Sequence, residues 1–274
     1  MSKGKRFLIV CAAVFVLGAG MTVLGIANGG AKYVRNRNVG LKDSTVTQQD
    51  IEFDSIEASG NLDITIINNS YLSNHNVPSL LDWMLYAPEG DAEGKSGKVV
   101  IVSQKGEKVP SVKTDGKKLV VEAHEKAAEA EVFVFCGDET LKSINVDSVS
   151  GDLDVYGVNF DDAAISLKAG DVCCNDIISG GIDVSNEAGN TEISGTLNGL
   201  TKVESASGDI YITTSAPISS YTMDIFTSDG DIAVGDEGYI SIDDDELSTS
   251  YAHKGGDAEL KLRTNAGDIE VKNE

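Results

Sequence analysis

The sequence predicts an all-β protein: a single-stranded parallel β-solenoid, or β-helix, of roughly 19-residue coils, preceded by one N-terminal transmembrane helix. Three observations point there. A Gly followed by Asp or Asn recurs at a near-constant spacing, the apolar residues around it alternate with period two, and a long uncharged run opens the chain.

Composition agrees with this class. The 274 residues are 41% hydrophobic and only 6% aromatic, with 29 Gly against 4 Pro. Such a chain can bury a core, and its balance suits many short strands joined at Gly turns better than long helices. A net charge of −22 counts against nucleic acid and anionic lipid as partners, and in favour of cations or basic partners.

Residues 1–6 form a basic stub with Lys3, Lys5 and Arg6, and Phe7 to Ala27 then run for 21 residues without a charge. That length suffices for a helix across a bilayer. A cleaved signal peptide has a shorter apolar core of about 7–15 residues. Gly25-Ile26-Ala27 nevertheless offers a small-x-small exit, so cleavage is the alternative. Val10 before Cys11 does not suit lipoprotein processing. Lys32, Arg35 and Arg37 beyond the span nearly cancel the positive-inside bias. The short stub ahead of a long acidic domain then favours a single-pass protein of the cell membrane with its C-terminal domain extracytoplasmic. Residues 28–50 read as a linker.

The solenoid domain is expected over residues 51–274. FDSIEASGNLDITI, from Phe53 to Ile66, reads as a first copy with its corner at Gly60-Asn61. Residues 68–97 interrupt the pattern with an inserted loop or cap that holds Trp83, the only Trp, and Tyr86. A short helix covering the solenoid end is the favoured reading, because a stack of coils needs its open edge closed. A contact loop built on Trp83 and Tyr86 is the alternative. KVVIVSQKG, KKLVVEA and EVFVF supply further strands before the regular array of residues 132–274.

In that array the corners stand at Gly151-Asp152, Gly170-Asp171, Gly189-Asn190, Gly208-Asp209, Gly230-Asp231 and Gly267-Asp268. The first four are nineteen residues apart, the next step is twenty-two, and the last is thirty-seven, close to two periods. Five residues before each Gly stand Val146, Ile165, Val184, Val203, Ile225 and Leu262. Two after it stand Leu153, Val172, Thr191, Ile210, Ile232 and Ile269, and four after it Val155, Cys174, Ile193, Ile212, Val234 and Val271. Alternation before the Gly and after it has opposite parity, which requires a corner between two half-buried strands. Gly supplies the positive φ that such a corner needs, and Asp can bond the turning backbone. Nineteen residues are too few for a βαβ unit of about 30. Coils that repeat in phase stack like on like and bury their apolar faces on each other.

The missing corner falls between Tyr239 and Asp257, where Ile240-Ser241-Ile242 still reads as strand. A degenerate coil is expected there, with Asp243, Asp244, Asp245 and Glu246 projecting as an acidic loop. These four are the candidate Ca²⁺ ligands, since hard cations take carboxylate oxygens. A solvated charge run is the plainer reading, and no cofactor is otherwise implied.

No catalytic constellation stands out. His75, His124 and His253 are scattered outside the repeat phases, and HExxH, GxSxG and GxxxxGK[ST] are absent. Arg263 is the only Arg beyond the membrane-proximal segment. Acids that recur once per coil read as turn residues, whereas a catalytic cluster would break the pattern. Cys136, Cys173 and Cys174 form no CxxC pair and read as small strand residues, with a disulfide or metal site as the alternative.

The basic stub, the span ending in VLGIANGGAKYV, and the phrases SGDLDVYG, SASGDIYIT and TNAGDIEVK together resemble the putative adhesin family of bacterial envelope domains, which includes LiaG-like proteins. The resemblance covers the span and most of Ile51 to Lys272. It implies an exported, membrane-tethered β-solenoid without established catalytic residues. The inserted segment from Asn68 to Gly97 departs from the usual pattern. The expectation is therefore a non-catalytic binding, adhesin-like or structural envelope protein, held to the membrane by its N-terminal helix and meeting envelope proteins or cell-wall components. A calcium-binding surface repeat protein and a polysaccharide-active β-helix enzyme are the alternatives.

Overall fold

The computed structural model describes residues 44–74, 97–104, 108–123, 130–235, 239–240 and 248–274. The basic stub, the apolar span, Trp83, Tyr86, His75, His124 and the run Asp243 to Glu246 lie outside the described residues. No helix among the described residues is long and apolar enough to cross a membrane.

Among the described residues nineteen strands follow one another, with almost no helix. The first part holds β1 (Ser44–Ile51), β2 (Ser55–Asn68), a six-residue helix α1 (Asn69–Asn74), β3 (Gly97–Gln104), β4 (Ser111–Asp115), β5 (Lys118–Glu122) and β6 (Ala130–Cys136). The array holds β7 (Leu141–Ser150), β8 (Leu153–Tyr156), β9 (Asn159–Leu167), β10 (Val172–Asn186), β11 (Thr191–Leu197), β12 (Leu200–Ser205) and β13 (Ile210–Thr214). After a 3₁₀ turn at Ile218–Ser220 come β14 (Tyr221–Thr227), β15 (Ile232–Val234), β16 (Tyr239–Ile240), β17 (Thr249–His253), β18 (Ala258–Thr264) and β19 (Ile269–Asn273).

The pairing is parallel and in register wherever the repeat is regular. Ile144 sits on Ala163, Ala163 on Ile182, and Ile182 on Thr201. Beyond the corner, Leu153 sits on Val172, Val172 on Thr191, and Thr191 on Ile210. All eighteen array residues at the three inward phases are buried. The result is a solenoid-like stack whose core is a set of aliphatic columns, one residue per coil.

The order of coils differs from the sequential one that the spacing suggests. β18 pairs with β12 on one side and β14 on the other, so the last coil in the chain lies between two earlier ones. β19 does the same between β13 and β15. The first coil is intercalated too: β2 pairs with β5 and β6 on one side and with β7 and β8 on the other. The thirty-seven-residue step is thus a single coil-to-coil contact, Met223 on Leu260, rather than two periods.

The expected degenerate coil is also corrected. Tyr239–Ile240 and Thr249–His253 run antiparallel, against β15 and β14 respectively. The other end behaves alike: β3 is antiparallel to β6, and β4 to β5. A parallel stack leaves an edge of unpaired N–H and C=O groups, and an antiparallel strand covers it without adding another coil.

The corner glycines take φ between 123° and 152° in the array, a region L-residues avoid. Each also lies against the preceding coil. A Cβ at Gly170 would collide with the Gly151 carbonyl oxygen, one at Gly189 with that of Gly170, and one at Gly208 with that of Gly189. Gly116, at φ 63° in the β4–β5 hairpin, meets nothing within 4 Å. Gly189→Ala is therefore expected to cost about 3 kcal/mol or more in guanidinium unfolding, and Gly116→Ala only about 1–2 kcal/mol. Equal costs would refute the stacking collision.

Candidate functional site

The corner Asp and Asn side chains form one continuous line. Each places Oδ1 where it accepts the backbone N–H of the equivalent residue in the next coil. Asp152 donates to Asp63 at 2.9 Å, Asp171 to Asp152 at 2.9 Å, Asn190 to Asp171 at 2.7 Å and Asp209 to Asn190 at 2.9 Å. Asp268 then donates to Asp209 at 2.8 Å, and Asp231 to Asp268 at 2.8 Å. The line follows the spatial order of the coils, including the intercalated last one. These side chains thus join neighbouring coils, whereas the spacing alone suggested a bond within each turn.

The first coil is shifted relative to its expected corner. A register irregularity between Gly60 and Asn61 moves the equivalent position to Leu62-Asp63, so Asp63, not Asn61, continues the line. Gly60 keeps a positive φ of 101° but faces the Ala123 carbonyl.

A second line runs inside the first and was missed from the sequence. Three residues before the corner stand Ser148, Leu167, Asn186, Ser205, Thr227 and Thr264, all buried. Ser148 donates to the Gly60 carbonyl, Asn186 to that of Gly170, Thr227 to that of Gly267 and Thr264 to that of Gly208. The signal was present as a polar residue at an inward phase. Such a residue must find a partner inside the fold.

Outward from the corners, acids line the adjoining face. In register across the stack lie Asp154, Cys173, Glu192, Tyr211 and Glu270. Coils repeat at about 4.7–4.9 Å, so Asp154, Glu192 and Glu270, each two coils apart, stand about 9–10 Å from one another, slightly beyond the ~8 Å screening length at physiological salt. Tyr211 donates its hydroxyl to Asp209 Oδ2 at 3.0 Å, which pushes the phenol up. The opposite face carries an open groove of about 730 Å³, lined by Glu57, Asn145, Asp147, Ser166, Asp183 and Ser185 among others, with Lys202 at one end. Lys202 pairs with Asp183 at 3.4 Å and Glu204 at 3.2 Å. Arg263 pairs with Asp224 at 2.8 Å and lies 5.8 Å from the Phe226 ring centroid. The one late Arg is thus held in a surface ion pair.

The inserted segment begins with α1, which lies on the side of the first coils. Asn68 caps it, accepting the Tyr71 N–H at 3.0 Å, and its Nδ2 binds the Gly137 carbonyl and Asp138. Leu72 packs with Ile67, Val100, Val102, Phe133 and Phe135 in a small outer cluster. The Tyr71 ring stacks on Tyr156 at 6.2 Å and presses on Gly157, where no Cβ would fit. Its hydroxyl bonds Asp176, a residue held at φ 53° by a bulge in β10. Burial, then Asp176, pushes the Tyr71 phenol up to about 12.

Cys136, Cys173 and Cys174 are free. Burial pushes the Cys136 and Cys173 thiols up to about 12 and Cys174 higher, so they stay protonated and unreactive at neutral pH. His253 ends β17 opposite Met223. Among the described residues no three His, Cys, Asp or Glu side chains converge as a metal site.

A family model described as Toastrack DUF4097 matches residues 38–272. No curated protein matches. Among solved structures, the chain is similar to a putative cell adhesion protein from Clostridium sporogenes, at 12% identity over 84% of this chain and 100% of that one, with a TM-score of 0.38. A putative adhesin from Bacteroides fragilis matches at 10% identity over 84% and 97%, with a TM-score of 0.34.

Two predictions follow from this geometry. Asp171→Asn keeps the acceptor for the Asn190 amide, as Asn190 itself does for Asp209, and should leave stability within about 0.5 kcal/mol, while Asp171→Ala should lose about 1 kcal/mol. Urea unfolding checks this; equal losses would remove the line of bonds as a stabilising element. A phenol whose folded value is raised above the unfolded one contributes stability below the unfolded value and loses it as pH rises through the folded value. Wild-type protein should therefore lose stability between pH 10.0 and about 12 more steeply than Tyr71→Phe. Parallel curves would show that the phenol is not held by the fold.

Proposed function

Because the chain belongs to the Toastrack DUF4097 family, we propose that it is an adhesin-like, non-catalytic binding or structural protein of the cell envelope, tethered to the membrane by residues 7–27. The observation that carries the reading is the employment of the corner carboxylates. Each spends one oxygen on the next coil's backbone, which fixes the spacing of the acids along the edge. A rigid row of in-register anions, interrupted by the neutral Asn190, suits a contact surface for a basic or amine-bearing partner, whose attraction weakens with salt.

The charge balance supports the same reading. Among the cations of the array, Lys142, Lys202, Lys261, Arg263 and Lys272 are each tied to an acid. Surface pairs of this kind are worth little individually, but they leave the net field acidic. Catalysis on a polysaccharide needs an acid and a base positioned on one bond. The corner acids are instead distributed one per coil, each engaged with a backbone N–H of its neighbour.

Protease added to intact cells should remove an epitope fused after Glu274 while a cytoplasmic control survives. A protected epitope contradicts the extracytoplasmic placement. Incubation of the full-length protein with purified wall polysaccharide separates binding from cleavage: retention of intact polymer supports the proposal, and release of shortened chains supports the enzymatic alternative.

A further inference from the structure

The last coil occupies a slot with two walls. On one wall Val203 and Thr201 of β12 face Leu262 and Leu260 of β18; on the other, Ile225 and Met223 of β14 face the same two residues. The corner line crosses both walls, from Asp209 to the Asp268 amide and from Asp268 to the Asp231 amide, each at 2.8 Å. What recognises the coil is backbone, phase and corner chemistry together with the Arg263–Asp224 ion pair, all of which any copy of residues 258–273 carries equally.

What makes the occupant the chain's own is a short connection. Residues 215–220 carry the chain past the slot from β13 to β14, and residues 254–257 bring it back from β17 to β18. The two connections cross where the Gly256 N–H donates to the Ser220 carbonyl at 2.7 Å. Side chains would not fit there: a Cβ at Gly255 would collide with the Tyr221 carbonyl oxygen. Crossing connections on one edge of a sheet are rare in folds. Here the crossing arises because the filling segment follows both walls in sequence. Both walls, β12–β13 and β14–β15, precede it in sequence, so they are made before their occupant.

We propose that this slot is a strand-binding site that accepts the C-terminal coil of a second copy of this chain, giving a reciprocally exchanged dimer. Exchange keeps every wall contact and replaces only the four-residue return and its crossing. The short return has to cross another connection to seat the chain's own coil, a constraint that exchange removes. Lys202 and Lys261 face each other across the wall, each held by an acid of its own strand or neighbour, so the pair is the same for either copy's coil.

The same pair provides the test. Full-length Lys202→Cys and full-length Lys261→Cys, each with its own tag, are co-expressed and oxidised. Neighbouring strands place Cα atoms within disulfide reach. The expected result is a reducible band of twice the monomer mass carrying both tags. It should be absent when Lys261→Cys is replaced by Lys272→Cys, whose register partner is Thr213 on the other face. A chain carrying both Lys202→Cys and Lys261→Cys should close its own disulfide, which establishes the geometry. If that internal bond forms but the mixed band does not, the proposal is overturned. It is equally overturned if Lys202→Cys/Asp224→Cys closes internally, because the slot then shuts by bringing β14 onto β12 and accepts no second copy.

Discussion

The carbonyl oxygen of each corner glycine lies where a side chain of the next corner would have to be. Coils can approach to hydrogen-bonding distance around the bend only because the residue that meets this carbonyl lacks a Cβ. At that distance the N–H of Gly170 reaches the Ala188 carbonyl and that of Gly189 reaches Ser207, so the ladder of the flanking strands continues through the turn. The rest of the stack depends on this. The aliphatic columns are dry because the coils are in register, and they are in register because the corners nest. The Asp and Asn side chains add a side-chain acceptor at the one place where the turning backbone presents an extra N–H. Acidity and regularity are therefore two aspects of one constraint.

Intercalation of β2 and of β18–β19 extends the logic to the ends of the stack. A terminal coil placed at an end would pair on one side only and fray. Placed inside, β2 and β18–β19 pair on both sides, and the exposed edges fall to short antiparallel strands. Those strands cover the outermost ladder yet offer little length for another chain to extend. The arrangement costs a crossing of two connections, and Gly255-Gly256 is the sequence feature that permits it.

Much of this was legible in the sequence. The period, the parity change and the eighteen inward positions follow from spacing alone, because strand periodicity is local and the repeat samples it six times. The coil order was not legible, since in-phase coils are interchangeable partners: Val203 is as well matched to Ile225 as to Leu262. Only the length of the connections and the glycine pair at 255–256 distinguish the two. At Gly60-Asn61 the positive φ stands where the spacing puts it, but the side-chain line passes through Asp63 for a different reason. A bulge moves the register by a residue without changing composition, and Asp63 lies close enough in sequence to be overlooked. The line of Ser148, Asn186, Thr227 and Thr264 was visible as polar residues at apolar phases, a pattern that points to a buried acceptor. For the candidate site, spacing located the acids, but their partners in the neighbouring coil became evident only from the stack.

The coil order is tested most directly by nuclear Overhauser contacts between backbone protons in selectively labelled protein. The account predicts contacts from Val203 to Leu262 and from Leu262 to Ile225, with none from Val203 to Ile225. A direct Val203–Ile225 contact, with Leu262 touching only one of them, would show a sequential stack and contradict the account.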